Sequence, residues 1–409
     1  MYIQRAIEDD ILQTSATFPV VLVTGPRQVG KTTTLRHLAG TERKYVSLDN
    51  PEIRLFAKTE PSLFLQKYPP PVLIDEIQYA PEILPYIKTS VDEHHENGAF
   101  WLTGSQMFSM MKNVSESLAG RVGILHFLGL SHAEIAGIPT EPFTTNSERL
   151  MKRSAITPQQ MMPEIYKTIF RGTYPALVAN PHVNREKFYS SYIETYLERD
   201  INTLTQVADI STFLKFMKVV AARTGRMLVY DDIAKDAGIS ATTAKRWMSI
   251  LVSLYVVALL PPYHSNILKR IVKSPVIHFL DTGLCTYLLG WDSPETLESS
   301  IMAGNMLETY VFSEIFKSYL ASGKEPLLYF YRDENKREID LIIYQNGTLS
   351  PIEVKKTGRP GKSDLSHIRY VREKLDQSPE QVSTGAVVCL ADDLLPLDEH
   401  TWIVPVWTI

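Results

Sequence analysis

Cysteine is nearly absent. The chain of 409 residues has two, Cys285 and Cys389, each in an apolar stretch without metal-ligand spacing. That excludes a disulfide framework and a zinc site, and a reducing cytosol fits best. An excess of positive charge is also missing: 42 Lys and Arg against 46 Asp and Glu leave a formal net charge of -4. Contact with nucleic acid therefore has to rest on a local patch rather than on the whole surface. No apolar run reaches bilayer length. The longest, Ile250 to Pro262, is short and broken by Ser253, so no membrane span is expected. The start, Met1 to Asp10, is mixed and charged and reads as no signal peptide. There is no internal repeat and no low-complexity tract. What is present is the 44% hydrophobic and 22% charged composition of a globular chain, long enough for two or three domains.

Up to about Leu130, short β-rich runs alternate with helical ones: Val20–Val23, Tyr45–Leu48, Val72–Ile74 and Phe100–Leu102. The alternation predicts an α/β unit, a parallel sheet with crossover helices. Ala136 to Thr157, rich in Pro, Thr and Ser, reads as a linker or long loop. From Pro163 to about Leu260 the pattern is helical. Tyr189–Leu204 forms one amphipathic segment with Tyr192, Ile193, Tyr196, Leu197 and Ile201 at helical spacing. After Pro261 and Pro262 the chain returns to mixed α/β. Boundaries fall near 160 and 265, giving units 1–160, 161–265 and 266–409.

Three segments carry phosphate chemistry. The apolar run Val20–Thr24 leads directly into Gly25-Pro26-Arg27-Gln28-Val29-Gly30-Lys31-Thr32, and Thr33 onward continues as a helix. This is G-x-x-x-x-G-K-[ST] in a strand–loop–helix setting. Gly25 and Gly30 let backbone N–H groups close around phosphate oxygens, and the helix points its positive end at the same anions. Lys31 suits the β- and γ-phosphates, and the Thr32 hydroxyl suits Mg²⁺. The second segment, Val72 to Glu76, ends a strand in two acids: Asp75 for the Mg²⁺ shell, Glu76 for polarising the attacking water. The third, Phe100 to Gln106, ends a strand in small polar residues, which puts Thr103 or Ser105 near the γ-phosphate; a plain strand-to-loop turn is the alternative.

The order GPRQVGKTT, LIDEIQ, LTGSQ, SLAGR resembles the AAA-type ATPases of bacteria and archaea whose second half is a domain of unknown function, close to the signal-transduction branch of P-loop ATPases. The resemblance implies ATP and Mg²⁺ as ligands. It also implies that Arg121 senses the γ-phosphate, in its own subunit or in that of a neighbour in a homo-oligomer. Arg171-Gly172-Thr173-Tyr174-Pro175 resembles the glycine-x-proline element by which that branch senses base and ribose, with two residues rather than one between Gly172 and Pro175. A helix stop and turn is the alternative.

Asp231–Ala237, the turn Gly238-Ile239-Ser240 and Ala241–Leu254 read as helix-turn-helix, with Ser240 as N-cap and Ala244, Trp247, Met248 and Leu251 on the apolar face. Thr242, Thr243, Lys245 and Arg246 then face outward. DNA is one partner this admits; a winged-helix lid packed on the nucleotide domain, as in related ATPases, is the other.

Asn346-Gly347, between Glu338–Gln345 and Thr348–Lys356, signals a hairpin. Counting outward from the turn sets Asp340 opposite Glu353 and Glu338 opposite Lys355. Alternation puts these four on one face and Ile339, Leu341, Ile343, Ile352 and Val354 on the other. Two opposed acids need a cation, either Lys355 or a divalent metal. Asp…Glu-x-Lys on a hairpin resembles the PD-(D/E)xK nuclease fold, so a restriction-nuclease-like α/β domain is expected at the C-terminus. The resemblance implies Mg²⁺ or Mn²⁺ on Asp340 and Glu353, Lys355 beside them, and Glu308 from the preceding helix. Asp281 reads as an N-cap. Two functions follow as expectations. One is an ATPase whose nucleotide state controls a nuclease-like, DNA-acting domain. The other is an ATP-driven protein–protein signalling switch with an inactive nuclease fold.

Overall fold

The computed structural model describes residues 2–104, 114, 117–197, 210–264, 274–375 and 381–409. Ser105 lies outside the described residues, as does the end of the Tyr189–Leu204 segment.

The first sheet is built from β1 (Val20–Thr24), β2 (Lys44–Ser47), β3 (Val72–Asp75), β4 (Phe100–Gly104) and β5 (Val122–His126), all parallel, in the order β2-β3-β4-β1-β5. Alternate residues feed two cores. Val21, Val23, Leu73 and Trp101 belong to one; Val20, Leu22, Val72, Ile74, Phe100 and Leu102 belong to the other. Both faces are covered, as a parallel sheet requires. The strands carrying the phosphate-binding candidates thus end along one edge of a rigid layer.

The segment Ala136–Thr157 is not all linker. Its second half is the helix Ser147–Ile156, started by Asn146, whose side chain accepts from the Arg149 N–H, and anchored by buried Leu150. A polar composition hid a helix with one apolar residue facing inward.

In the middle unit, the helix Ile210–Ala221 is followed by β6 (Arg226–Met227), the helices Tyr230–Ala237 and Ala241–Ser253, β7 (Val257–Leu260) and β8 (Val276–Phe279). The strands form an antiparallel sheet in the order β6-β8-β7. Gly238 turns the chain at φ +76, and Ser240 accepts from the Thr243 N–H at 3.1 Å. Ala244, Trp247, Met248 and Leu251 are buried, while Thr242, Lys245 and Arg246 are exposed, as the sequence pattern predicts. The boundary read at 265 needs correction: β8 lies beyond it and pairs with both β6 and β7, so a cut there splits a sheet.

The C-terminal unit opens with the long helix Ala303–Leu320. Its sheet contains β9 (Leu328–Arg332), β10 (Glu338–Gln345), β11 (Thr348–Lys355), β12 (Gln381–Val382), β13 (Gly385–Cys389), β14 (Leu395–Asp398) and β15 (Thr401–Pro405). The order is β14-β15-β13-β11-β10-β9, with β12 beside β11. The 303–320 helix covers one face, and the helix Ser366–Leu375 covers the other. Asn346 and Gly347 have φ of +52 and +75, the primed turn a tight hairpin needs. The predicted register is observed from Gln345 opposite Thr348 to Leu341 opposite Ile352.

Ile339 corrects the predicted facing. A bulge against β9 between Ile339 and Ile342 puts Ile339 in the core of Ile342 and Leu349, while Leu341 and Ile343 face the main core. A bulge inserts one residue, so the side-chain alternation changes phase across it.

Cys285 and Cys389 are both free and buried. No helix among the described residues is long and apolar enough to cross a membrane.

Gly172 closes the helix Met162–Arg171 at φ +83, where an added Cβ would lie 2.1 Å from the Tyr189 hydroxyl and 2.7 Å from Asp281 Oδ1. Gly172→Ala is expected to lower stability by roughly 2–4 kcal/mol, from left-handed backbone strain plus overpacking, read by urea denaturation.

Candidate functional site

The loop after β1 is shaped by two glycines. Gly25 has φ +150, and a Cβ there would meet the Phe127 carbonyl oxygen at 1.9 Å; only glycine fits. Gly30, at φ +100, precedes the helix Lys31–Ala39 and turns its free N–H groups toward the loop. Gln28 also adopts positive φ, +61. Pro26 and Val29 are buried, whereas Gln28 and Thr33 are exposed. The Lys31 ammonium folds back to donate to the carbonyls of Gly25 at 2.9 Å and Pro26 at 2.6 Å. It therefore sits inside the loop, its charge buried against backbone oxygens.

Asp75 ends β3 fully inside the site. Its Oδ1 accepts from the Thr32 hydroxyl at 2.7 Å and the Thr103 hydroxyl at 2.5 Å, and its Oδ2 accepts from Tyr45 at 3.0 Å. Burial, then the Asp75 charge, push the Tyr45 phenol up to about 12, so it stays a donor. Glu76 stands at φ +59; its N–H donates to Thr103 Oγ1 at 3.0 Å, and Gln78 donates to its carboxylate. Thr103 thus ties the two acids together. Tyr45 was missed in the sequence because nothing local distinguishes it from a core aromatic.

A second missed residue is Arg5. It is 6% exposed and donates to Val29 O at 2.8 Å, Leu128 O at 2.9 Å and Glu134 Oε1 at 2.9 Å, with its guanidinium 4.1 Å above the Phe127 ring. It props the loop from below. Its position before any strand or motif gave no signal.

Arg121 is placed elsewhere. It closes the turn into β5, its carbonyl accepts from Val20 N–H at the start of β1, and its guanidinium pairs with Asp92 at 2.5 Å. The loop lies at the other end of β1, roughly 15 Å of strand away. The phosphate site of its own subunit is therefore out of reach. Pro175 lies closer: its Cγ would be 4.0 Å from a Cβ on Gly30. Gly172 is a helix stop, and Pro175 starts the next helix, Pro175–Ala179, beside the loop.

ATP with Mg²⁺ fits this site. The glycine cradle, the lysine held in it and the Thr32–Asp75 pair at 2.7 Å offer an anion nest beside a hydroxyl–carboxylate donor set for a hard cation.

The C-terminal acids come together differently. Glu353 is 1% exposed, held by Lys355 at 2.6 Å, with His367 Nδ1 at 3.5 Å from its other oxygen. Asp340 accepts from the Val354 N–H at 2.7 Å, so a carboxylate continues the ladder where backbone pairing stops. Glu308 stands on the 303–320 helix, 3.9 Å from His278 Nε2. Burial, then Asp340, push Glu353 up to about 8. Burial, then Asp340, Glu338 and Glu353, hold Glu308 well above the usual carboxylate range. Burial raises Asp340 too, opposed by Lys355 and the Val354 N–H. These acids are one electrostatic unit, not a solvated strand face. As placed, however, they do not make a metal cage: among the described residues no three His, Cys, Asp or Glu groups converge to hold an ion.

The helix that carries Glu308 also meets the segment behind the phosphate loop through buried charge. On the 303–320 helix, Lys317 donates to Leu130 O at 3.1 Å, Thr173 Oγ1 at 3.2 Å and Glu314 at 2.8 Å, while Glu314 accepts from the His132 N–H at 2.7 Å. Asp281 caps its helix through Leu284 N–H at 2.7 Å, as predicted, and also holds Thr173 N–H at 2.8 Å.

Comparison with known proteins adds three family matches. Residues 17–136 match the AAA domain, 162–295 a domain of unknown function (DUF8612), and 303–409 another (DUF4143). Two uncharacterized proteins, from Mycobacterium tuberculosis and Mycobacterium bovis, are each 29% identical over 389 residues, covering 95% of this chain and 80% of theirs. Among solved structures, the Walker-type ATPase of Pyrococcus abyssi is similar at 15% identity and a TM-score of 0.42, over 70% of this chain and 96% of that one. The Thermotoga maritima RuvB Holliday junction branch migration motor is similar at 15% identity and a TM-score of 0.30, over 62% and 89%. At those scores neither bears on function. The match of residues 17–136 to the AAA domain supports nucleotide binding by a P-loop unit.

Arg5→Ala leaves Glu134 buried without its cation. It is expected to cost roughly 3–5 kcal/mol of stability, read by urea denaturation; a loss below about 1 kcal/mol would show that the prop is dispensable.

Proposed function

We propose that the protein binds ATP with Mg²⁺ on the Gly25–Thr33 loop and hydrolyses it, and that its nucleotide state governs a nuclease-like C-terminal unit acting on DNA. The observation that carries this reading is the 303–320 helix. It bears Glu308 of the acidic cluster and, nine positions on, the Lys317 that holds the segment behind the phosphate loop.

Lys31 would release its two carbonyls to meet phosphate oxygens, and Thr32 and Asp75 are the residues that would hold the cation. Held there, a cation would neutralise charge on the phosphates. Glu76 orients and polarises a water, with Thr103 fixing its backbone. Arg121, barred from its own site, serves a neighbour's phosphate in a homo-oligomer once it leaves Asp92. Pro175, which starts a helix beside the loop, would pack against a bound nucleoside.

The helix–strand–helix–helix–strand–strand order of the middle unit reads as a winged helix. In the C-terminal unit, the helix, three antiparallel strands, a second helix and a parallel fourth strand support the PD-(D/E)xK reading, with Asp340, Glu353 and Lys355 on the second and third strands. Glu308, Asp340 and Glu353 are the residues that would receive Mg²⁺ or Mn²⁺ after Asp340 and Glu353 leave their internal partners. Their present failure to converge favours a second reading, a signalling switch with a silent nuclease-like unit.

Cleavage of plasmid DNA with Mn²⁺ separates the two. The first reading expects cleavage by the wild type, abolished in Asp340→Asn and retained in Lys31→Ala. No wild-type cleavage, or equal cleavage by Asp340→Asn, sinks it. In Lys317→Met, MgATP binding is expected to persist while the effect of ATP on cleavage falls at least tenfold.

A further inference from the structure

The acidic cluster is flanked by cations, of which Arg226, Arg359 and Lys362 are exposed and pair with no acid among the described residues. On one side, a cleft of about 360 Å³ separates β6 of the middle unit from the C-terminal sheet, with Arg226 on one wall and Glu308, Arg332, Glu338 and Asp340 on the other. Arg332 reaches Glu338 at 3.4 Å. Arg226 is exposed on an edge strand and forms no ion pair among the described residues. His278, fully buried on the neighbouring strand β8, turns an Nε2 with no hydrogen-bond partner toward Glu308 at 3.9 Å. On the other side, β11 runs from Glu353 and Lys355 straight into a turn bearing Lys356, Arg359 and Lys362. Lys356 donates to the Glu298 carbonyl. Arg359 and Lys362 are exposed and form no ion pair among the described residues.

A single small anion would need these cations focused on one point. Instead they are spread to either side of the acids, which suits a ligand whose negative charges repeat along a chain. Arginine suits phosphate diesters in particular, because its planar fork can bond two oxygens at once. The net charge of -4 makes such a local line the only basis for strong polyanion binding.

We infer that a DNA backbone crosses the acidic cluster along this line, with Arg226 and Arg332 on its phosphates at one side and Arg359 and Lys362 at the other. The middle unit then completes the substrate surface of the C-terminal unit through Arg226, not through the helix Ala241–Ser253. The inference rests on the nuclease-like reading above, and it names residues which that reading does not.

The test is fluorescence anisotropy of the full chain with a labelled DNA duplex in EDTA, titrated with KCl. Arg226→Gln and Arg359→Gln are each expected to weaken binding about three- to tenfold and to reduce the log–log salt slope by about one, while Lys245→Gln changes neither. Unchanged affinity and slope in both arginine variants, or a loss carried by Lys245→Gln, overturns the inference. In that case Asp340→Asn still reports separately, by its cleavage, on the nuclease-like reading. Absence of DNA binding by the wild type overturns both.

Discussion

The segment Phe127–His132 is clamped between two buried charge pairs, and the phosphate loop takes its shape from that clamp. From one side Arg5 and Glu134 bond its backbone; from the other, Lys317 and Glu314 do. The Phe127 carbonyl in turn presses on Gly25 so closely that no side chain fits there. Buried pairs of this kind add little net stability, because desolvation offsets their attraction, but breaking one leaves a stranded charge. Their effect is to permit few arrangements. A change on either side of the clamp has to be answered on the other.

The 303–320 helix carries one side of that clamp. Lys317 and Glu314 lie near its C-terminal end, against the nucleotide unit, and Glu308 lies about two turns earlier, among the C-terminal acids. A helix is stiff over that span, so under the proposed coupling a shift in the clamp would reach Glu308 as a rigid displacement rather than a diffuse one. In the arrangement seen, Lys355 bonds one Glu353 oxygen and the Val354 N–H bonds Asp340, while the other Glu353 oxygen is buried without a hydrogen-bond partner among the described residues.

Features set by local chemistry were legible in the sequence. The phosphate loop announced itself because glycine, lysine and threonine have one arrangement that serves a triphosphate. The Asn346-Gly347 turn set the hairpin register, which holds to Leu341 and Ile352. The apolar face of Ala241–Ser253 followed from helical spacing. What was not legible depends on partners far along the chain. The bulge that re-aims Ile339 is imposed by β9. The membership of β8 in the middle sheet is decided by β6 and β7, which moves the boundary past 265. Arg121 carries a suggestive motif, yet its position at the start of β5 sends it away from its own loop. Arg5 acts through residues more than a hundred positions away, and no local pattern marks it.

The proposed triphosphate site is built on Lys31, Thr32 and Asp75. Isothermal titration of the full chain with ATP, with and without Mg²⁺, tests it most directly. Saturable binding at one site per chain that tightens with Mg²⁺ is predicted. No heat of binding at millimolar MgATP, from protein shown to be folded, would contradict it.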